Sequence, residues 1–446
     1  MENYPEMTFA EVFARMPVQR LLSATPSIGL VDSKVAVRVT GLEPNSHVTI
    51  RSDSMQNTSK QKVRFEAHAH YIADDRGEVS IPDHTSWGGT YTGTEPMGLF
   101  WSMQLSPGEM FGTRYLVKDV TKPMMVNLSL YQGHLDTHAL QTAKPDAITK
   151  VERWYLGKDI ERIKVSTGRL RGTVFKPKGT GPFPGVIDMF GSAGGLIETR
   201  AAMFASHGFA CYSLPFFNYE DLPSHLWELE LEYFKDAVDW LTVQSFVKPG
   251  GIGMVGVSTG AQIVIATVSH FPEKVTAAII INGCHAQTLF PLKVNGKILP
   301  YIEFDSNGIT TNPSGTTDLY NAYKSLEDLP DDHPAVFQLE KATNCKFLFV
   351  VGQGETLWNS CHYAEQAMKR LRQHGLYNYQ LLSYPNAGHL IEVPYAPVGK
   401  DVYSSLVGGI VNHGGTVLAN AKAMEDSWPK MVRFLHLYCG KSLSKL

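Results

Sequence analysis

Ile252-Gly253-Met254-Val255-Gly256-Val257-Ser258-Thr259-Gly260, followed by Ala261 to His270, decides the reading of this chain. Ile252 to Val255 has the pattern of a buried strand, and Ala261 to His270 that of a helix. Between them, Gly256-Val257-Ser258-Thr259-Gly260 spells GxSxG in the strand–turn–helix setting of a nucleophile elbow. So sharp a turn holds its serine in a strained conformation, with the hydroxyl exposed above the sheet. Glycines flank the serine because a Cβ there would clash. A bare GxSxG arises by chance, but in this setting it marks Ser258 as the candidate nucleophile. Gly251, Gly253 and Gly256 also spell GxGxxG. A dinucleotide fingerprint must follow its strand and open a helix. These glycines lie inside or before the strand, so that reading is rejected.

Working outward, the strand at 252–257 has relatives. Apolar runs at 185–190, 210–215, 277–281, 347–351 and 380–384 have the character of strands covered on both faces. Helical patterns lie between and after them, at roughly 196–207, 223–244, 259–270, 361–374 and 417–437. Pro429 is expected to kink or interrupt the last of these. The alternation predicts a mostly parallel, doubly wound α/β domain. Before residue 133 the period changes to two. Val35, Val37 and Val39 alternate with polar residues, as do Val63, Phe65, Ala67, Ala69 and Tyr71, and Val126, Leu128 and Leu130. Turns such as Asp74-Asp75-Arg76-Gly77 separate these runs, which predicts an antiparallel β-sandwich. Residues 133–150 are polar, contain Pro145 and read as a connector. The expected domains are therefore 1–145, all-β, and 146–446, α/β.

A serine nucleophile needs a base and a group to orient it. In the α/β-hydrolase fold these follow in the chain order serine, acid, histidine. Among 16 histidines, His389 holds the right place, after the last strand pattern and the turn Pro385-Asn386-Ala387-Gly388. Glu355 is the only carboxylate at the end of the run Phe347 to Val351. The preceding strand leads into Asn282-Gly283-Cys284-His285, which has no acid. Glu392 is too close to His389 in sequence to partner its Nδ1. The oxyanion of an acyl transfer needs two backbone N–H donors. Thr259, next to the nucleophile, is one candidate. Ser192 or Ala193, in the loop Gly191-Ser192-Ala193-Gly194-Gly195, is the other.

Composition narrows the field. The chain has 446 residues, 43% of them hydrophobic and 19% charged, with a formal net charge of −3. That balance fits a core-forming protein and argues against a broad nucleic-acid-binding face. The five cysteines show no CxxC or zinc spacing. No HExxH, P-loop or clustered ligand set occurs, and the expected chemistry needs neither metal nor organic cofactor. The first residues lack the features of a secretory signal, Glu2, Glu6 and Glu11 oppose a mitochondrial transit peptide, and no apolar run is long enough to span a membrane. Ser444-Lys445-Leu446 reads as an address for the peroxisomal import receptor, so the peroxisomal matrix is the expected location. The oligomeric state is left open.

These residues carry a resemblance to the acyl-CoA thioesterase and bile acid-CoA:amino acid N-acyltransferase family. It rests on Val37-Arg38-Val39-Thr40-Gly41-Leu42, Gly93-Thr94-Glu95-Pro96-Met97-Gly98-Leu99 and Asp119-Val120 in the first domain. In the second it rests on Arg171 to Phe175, Asp188-Met189-Phe190-Gly191, Asn218 to Pro223, Val351-Gly352-Gln353 and Gly388-His389-Leu390-Ile391-Glu392. The resemblance implies an immunoglobulin-like sandwich followed by an α/β-hydrolase domain, with acyl-CoA as substrate. It also implies Ser258 as nucleophile and His389 as base. The family's acid is typically the second aspartate of Gly-Gln-Asp-Asp. This chain departs from that pattern, with Gly354-Glu355 in the matching place. The amino-acid-conjugating branch generally resembles a cysteine enzyme and the thioesterase branch a serine enzyme. Hydrolysis of fatty acyl-CoA to free acid and CoA is therefore the first expectation. Conjugation of the acyl group to glycine or taurine is the alternative, and a decayed acyl-CoA carrier and a carboxylesterase are lesser ones.

Overall fold

The computed structural model describes residues 20–58 and 61–440 of the chain. The Ser444-Lys445-Leu446 tail and the acidic residues near the N-terminus lie outside the described residues. The larger unit is built on eight strands: β1 (Ile160–Thr167), β2 (Leu170–Pro177), β3 (Gly185–Met189), β4 (Ala210–Ser213), β5 (Ile252–Val257), β6 (Val275–Ile281), β7 (Lys346–Gly352) and β8 (Tyr379–Tyr384). They lie in the order β1-β2-β4-β3-β5-β6-β7-β8. The β1–β2 and β2–β4 pairs are antiparallel, and every pair from β4 to β8 is parallel.

The apolar runs are continuous because both faces of this sheet are covered. Met254 of β5 enters one core with Ala261, Ile265 and Leu371. Its neighbours Val255 and Val257 enter the opposite core with Ala201, Phe204, Met431 and Leu435. Five helices supply the covers: α1 (Thr199–Ser206), α2 (Leu231–Thr242), α3 (Thr259–His270), α4 (Ser360–Gln373) and α5 (Val417–Tyr438). The topology, with an elbow after β5, is that of an α/β-hydrolase. Two helical expectations need correction. The pattern at 223–244 divides into a short 3-10 turn, Leu226–Glu228, and then α2. Pro429 does not interrupt α5, which runs through it as one helix. Buried Met424, Trp428, Met431, Phe434 and Leu435 pack on either side of the proline and outweigh its missing donor.

The N-terminal unit is all-β. Strands Leu21–Thr25, Ala36–Thr40 and Val79–Ser80 form one sheet. Strands Ile28–Leu30, Ala147–Trp154, Met124–Gln132, His47–Asn57, Lys62–Ile72 and Gly88–Gly89 form the second, with Gln104–Leu105 added beside Lys62–Ile72. Val37 and Val39 of the first sheet share a core with Ile50, Phe65, Leu128 and Val151 of the second. Ala147–Trp154 pairs with Met124–Gln132 over seven positions, so the second sheet ends beyond the expected boundary at 145/146. Residues 147–150 are thus strand rather than connector. Among the described residues no helix is long and apolar enough to cross a membrane.

Candidate active site

Ser258 joins β5 to α3 with φ 58° and ψ −128°. This left-handed region is unfavourable for a side chain with a Cβ. The turn survives because its neighbours leave no alternative. A Cβ on Gly256 would lie 2.4 Å from the Gly260 backbone, and one on Gly260 would lie 2.1 Å from the Phe190 carbonyl oxygen. The Ser258 N–H donates to the Ile281 carbonyl at 2.9 Å, which pins the elbow to β6.

Ser258 and His389 line one cavity of about 200 Å³, together with Gly191, Ser192, Ala193 and Leu357. Thr259 is buried in the first turn of α3, where helix geometry leaves backbone N–H groups without an intrahelical partner. Glu355 lies behind the histidine, and its Oε1 is hydrogen-bonded to His389 Nδ1. The other carboxylate oxygen accepts from the Ser360 hydroxyl. Both members of the His–Glu pair are buried. Burial pushes the Glu355 carboxyl above its ordinary range, against the pull of His389 and the hydrogen bonds from His389 and Ser360. Bound at Nδ1, the imidazole keeps Nε2 for the cavity.

Three further residues brace this pair, and the sequence did not single out their roles. Asn282, fully buried, caps β6 with φ 45°. Its side-chain amide donates to the carbonyls of His389 at 2.7 Å and Gly388 at 3.2 Å. Its Oδ1 accepts from the Gly352 N–H at 2.9 Å. One side chain thus ties the end of β7, which leads to Glu355, to the loop of His389. Asn420 of α5 accepts from the Gly388 N–H at 2.5 Å. The His389 N–H donates to the His413 carbonyl at 2.7 Å, and the two rings lie 5.8 Å apart. Burial, with His389 and Arg114 nearby, pushes the His413 imidazole down to about 3, so its ring stays neutral. Arg114, from the N-terminal unit, also lines the cavity. In the sequence Asn282 stood only in a stretch without an acid after the strand, and nothing there foretold the brace. No cysteine occupies the elbow, and burial holds the Cys284 thiol up at about 12. Among the described residues no cluster of His, Cys, Asp or Glu is arranged to hold a metal ion.

A second cavity, of about 560 Å³, shares Arg114, Phe190 and Ala193 with the first. It lies between residues 114–118 of the N-terminal unit and residues 188–200 and 392–397 of the larger one.

Residues 32–167 match the region described as "Acyl-CoA thioester hydrolase/BAAT N-terminal region", and residues 229–441 match "BAAT / Acyl-CoA thioester hydrolase C terminal". The chain belongs to this family. Here BAAT stands for bile acid-CoA:amino acid N-acyltransferase. The human protein of that name is 40% identical over 93% of this chain and 96% of its own length. Human acyl-coenzyme A thioesterase 1 is 37% identical over 92% of this chain and 94% of its own. The mouse acyl-coenzyme A amino acid N-acyltransferase 1 is also 37% identical, over 95% and 99%. Among solved structures, the Pyrococcus furiosus esterase Pf2001 has a TM-score of 0.39 and 14% identity, covering 63% of this chain and 92% of its own. This member of the family carries serine at the elbow and glutamate beside the histidine.

Proposed function

We propose that this chain is a serine thioesterase that hydrolyses fatty acyl-CoA to free acid and CoA. The observation that carries the reading is Ser258 on a strained elbow, sharing a cavity with a histidine whose far nitrogen is bound to a buried carboxylate. His389 takes the Ser258 proton as the oxygen attacks the thioester carbonyl. The tetrahedral oxyanion is held by the N–H of Thr259 and that of Ser192 or Ala193. CoA leaves with the proton from His389, and an acyl-serine ester remains. His389 then removes a proton from water as the water attacks the ester, and returns it to the Ser258 oxygen as the acyl–serine bond breaks and the acid departs. Glu355 holds the productive tautomer and stabilises the imidazolium. The acyl chain runs past Phe190 and Ala193 into the larger cavity, whose wall includes Leu196, Ile197 and Val393.

Identity does not choose between the family's two branches, since relatives of both kinds stand at 37–40%. The nucleophile supports hydrolysis. Transfer to a cysteine would conserve a thioester, still activated toward an amine. Transfer to Ser258 makes an oxygen ester, which activated water can cleave. The test is CoA release and product mass, measured with glycine and taurine present. Free acid is expected, and Ser258→Ala should lower kcat by about 10,000-fold or more. An amide conjugate as main product would overturn the choice of branch, and near wild-type turnover of the variant would remove the nucleophile.

Two finer statements belong to the same reading. The N-terminal sandwich is taken as immunoglobulin-like, supported by two largely antiparallel sheets closed over one core. The destination is the peroxisomal matrix, supported by Ser444-Lys445-Leu446 and the receptor that reads it. A tagged chain lacking these three residues should stay in the cytosol, whereas unchanged import would exclude them as the address.

A further inference from the structure

The segment that carries the base also carries an acid that the proposed reaction does not use. Glu392 follows His389 by three residues. Its carboxylate pairs with Arg114, which comes from the other domain and is 278 residues distant in sequence. The Arg114 side chain is only 9% exposed. Its guanidinium also lies 5.4 Å from the centre of the Phe190 ring. Phe190 opens the loop of Ser192 and Ala193. One side chain therefore touches both arms of the site, the segment of the base and the loop of the candidate oxyanion donors.

Arg114 is itself anchored. Gln56 Nε2 donates to the Arg114 carbonyl at 3.2 Å, and Gln56 Oε1 accepts from the Leu116 N–H at 2.6 Å. The hydroxyls of Ser54 and Tyr115 are hydrogen-bonded at 2.9 Å. Ser54 and Gln56 belong to His47–Asn57, an interior strand of the N-terminal unit's larger sheet. On the opposite side, a Cβ on Gly399 would lie 3.1 Å from Arg114 Cγ, so the chain beyond Glu392 is fitted closely around the arginine. A continuous path thus runs from the core of the first domain to the histidine of the second.

We propose that Arg114 is a positioning residue through which the N-terminal domain holds the His389 segment and the Phe190 loop in register with Ser258. It acts through Glu392 and Phe190. The proposal rests on the assignment of Ser258 and His389 above, but not on the identity of the thioester. A planar, permanently charged guanidinium can pair with a carboxylate and cover a ring at once, which an ammonium cannot do equally well. Loss of the arginine leaves a carboxylate without its partner beside a site where a displacement of about 1 Å costs roughly 100-fold in rate.

The experiment uses the full chain and compares Arg114→Met, Arg114→Lys, Glu392→Gln and the Arg114→Met/Glu392→Gln double variant. Two readouts are taken: the rate of Ser258 labelling by a fluorophosphonate, and kcat and KM for CoA release. Labelling needs only an activated serine, so it reports on Arg114 even if the natural substrate is not an acyl-CoA. Arg114→Met is expected to slow labelling and lower kcat by about 10- to 100-fold, with KM changed less than about 3-fold. Glu392→Gln should lower kcat in the same direction, and Arg114→Lys should recover part of the loss. The double variant should be no slower than Arg114→Met alone, because the two residues act as a unit. Wild-type labelling in Arg114→Met, or losses that multiply in the double variant, would overturn the proposal. If Arg114→Met does not fold, the near-isosteric Glu392→Gln decides: unchanged kcat and labelling refute the positioning role.

Discussion

Ser258 carries backbone strain at the elbow, and Glu355, bound to His389, carries the electrostatic load. The carboxylate is buried, and burial raises its protonation midpoint. A carboxyl raised in this way favours folding when protonated. Its contribution is complete below the unfolded value and is lost as pH rises through the folded one. Glutamine mimics the protonated form at every pH. Glu355→Gln should therefore raise the melting temperature at pH 8, and the gain should shrink toward pH 4.5. For a chain of this length a gain of 1 kcal/mol at the transition corresponds to roughly 1 °C. The same change should lower kcat by about 10,000-fold, since the imidazole loses the partner that sets its tautomer. Scanning calorimetry at the two pH values, with a rate assay, checks both. A gain that is larger at pH 4.5 would contradict the assignment of burial as the dominant effect. At this scale the sequence named Ser258 by its motif and Glu355 and His389 by their places after strands. Asn282, Ser360 and Arg114 were not legible. Their residue types are ordinary, and their roles exist only through contacts that the folded chain creates, up to 278 positions apart.

Elements put these residues in place by close backbone approach. The first turn of α3 presses against the end of β3, where only the missing Cβ of Gly260 leaves room for the Phe190 carbonyl. Gly260→Ala should therefore displace the elbow, slow fluorophosphonate labelling by at least about 100-fold and lower the melting temperature. Unchanged labelling would show that the turn tolerates the methyl. The glycine of the motif was legible, but not the carbonyl that excludes a side chain there. The first half of the strand Ala147–Trp154, up to residue 150, reads as connector because the stretch is polar and shows no clean period. The strand's more buried set is Ala147, Thr149, Val151 and Arg153, and two of these four are polar. Arg153 is fully buried and donates to the carbonyls of Val31 at 2.6 Å and Ser33 at 2.5 Å. A buried arginine satisfied in part by backbone erases the period-two signal that a strand normally shows. Pro429 raised the expectation of a kink or an interruption in α5; the helix is not interrupted, and buried apolar residues lie on both sides of the proline.

At the scale of the molecule, the two domains share their interiors as well as a surface. Val31 and Val120 of the first lie in a core of the second, and Tyr395 and Ala421 of the second lie in the core of the first. The sequence announced two domains through the change of period from two to helical and buried-strand patterns. It could not announce their junction, because each joining residue looks like an ordinary core residue of its own unit. That junction encloses the cavity of about 560 Å³ assigned to the acyl chain. Its charged walls are largely neutralised in pairs, Asp188 with Arg200, Glu198 with Arg162 and Glu392 with Arg114, so an apolar chain meets few uncompensated charges. If the chain lies there, narrowing the cavity must discriminate by length. Ala396→Phe places a ring in the wall of the larger cavity, which neither Ser258 nor His389 lines. Each methylene denied burial costs about 0.8 kcal/mol, so losing room for two should lower kcat/KM for the longest acyl-CoA about 10-fold. Short acyl-CoA esters, which end before the obstruction, should be hydrolysed at the wild-type rate. A substrate series of increasing chain length measures this directly. An equal loss at every length would place the acyl chain elsewhere, because a wall that the chain never reaches cannot count its carbons.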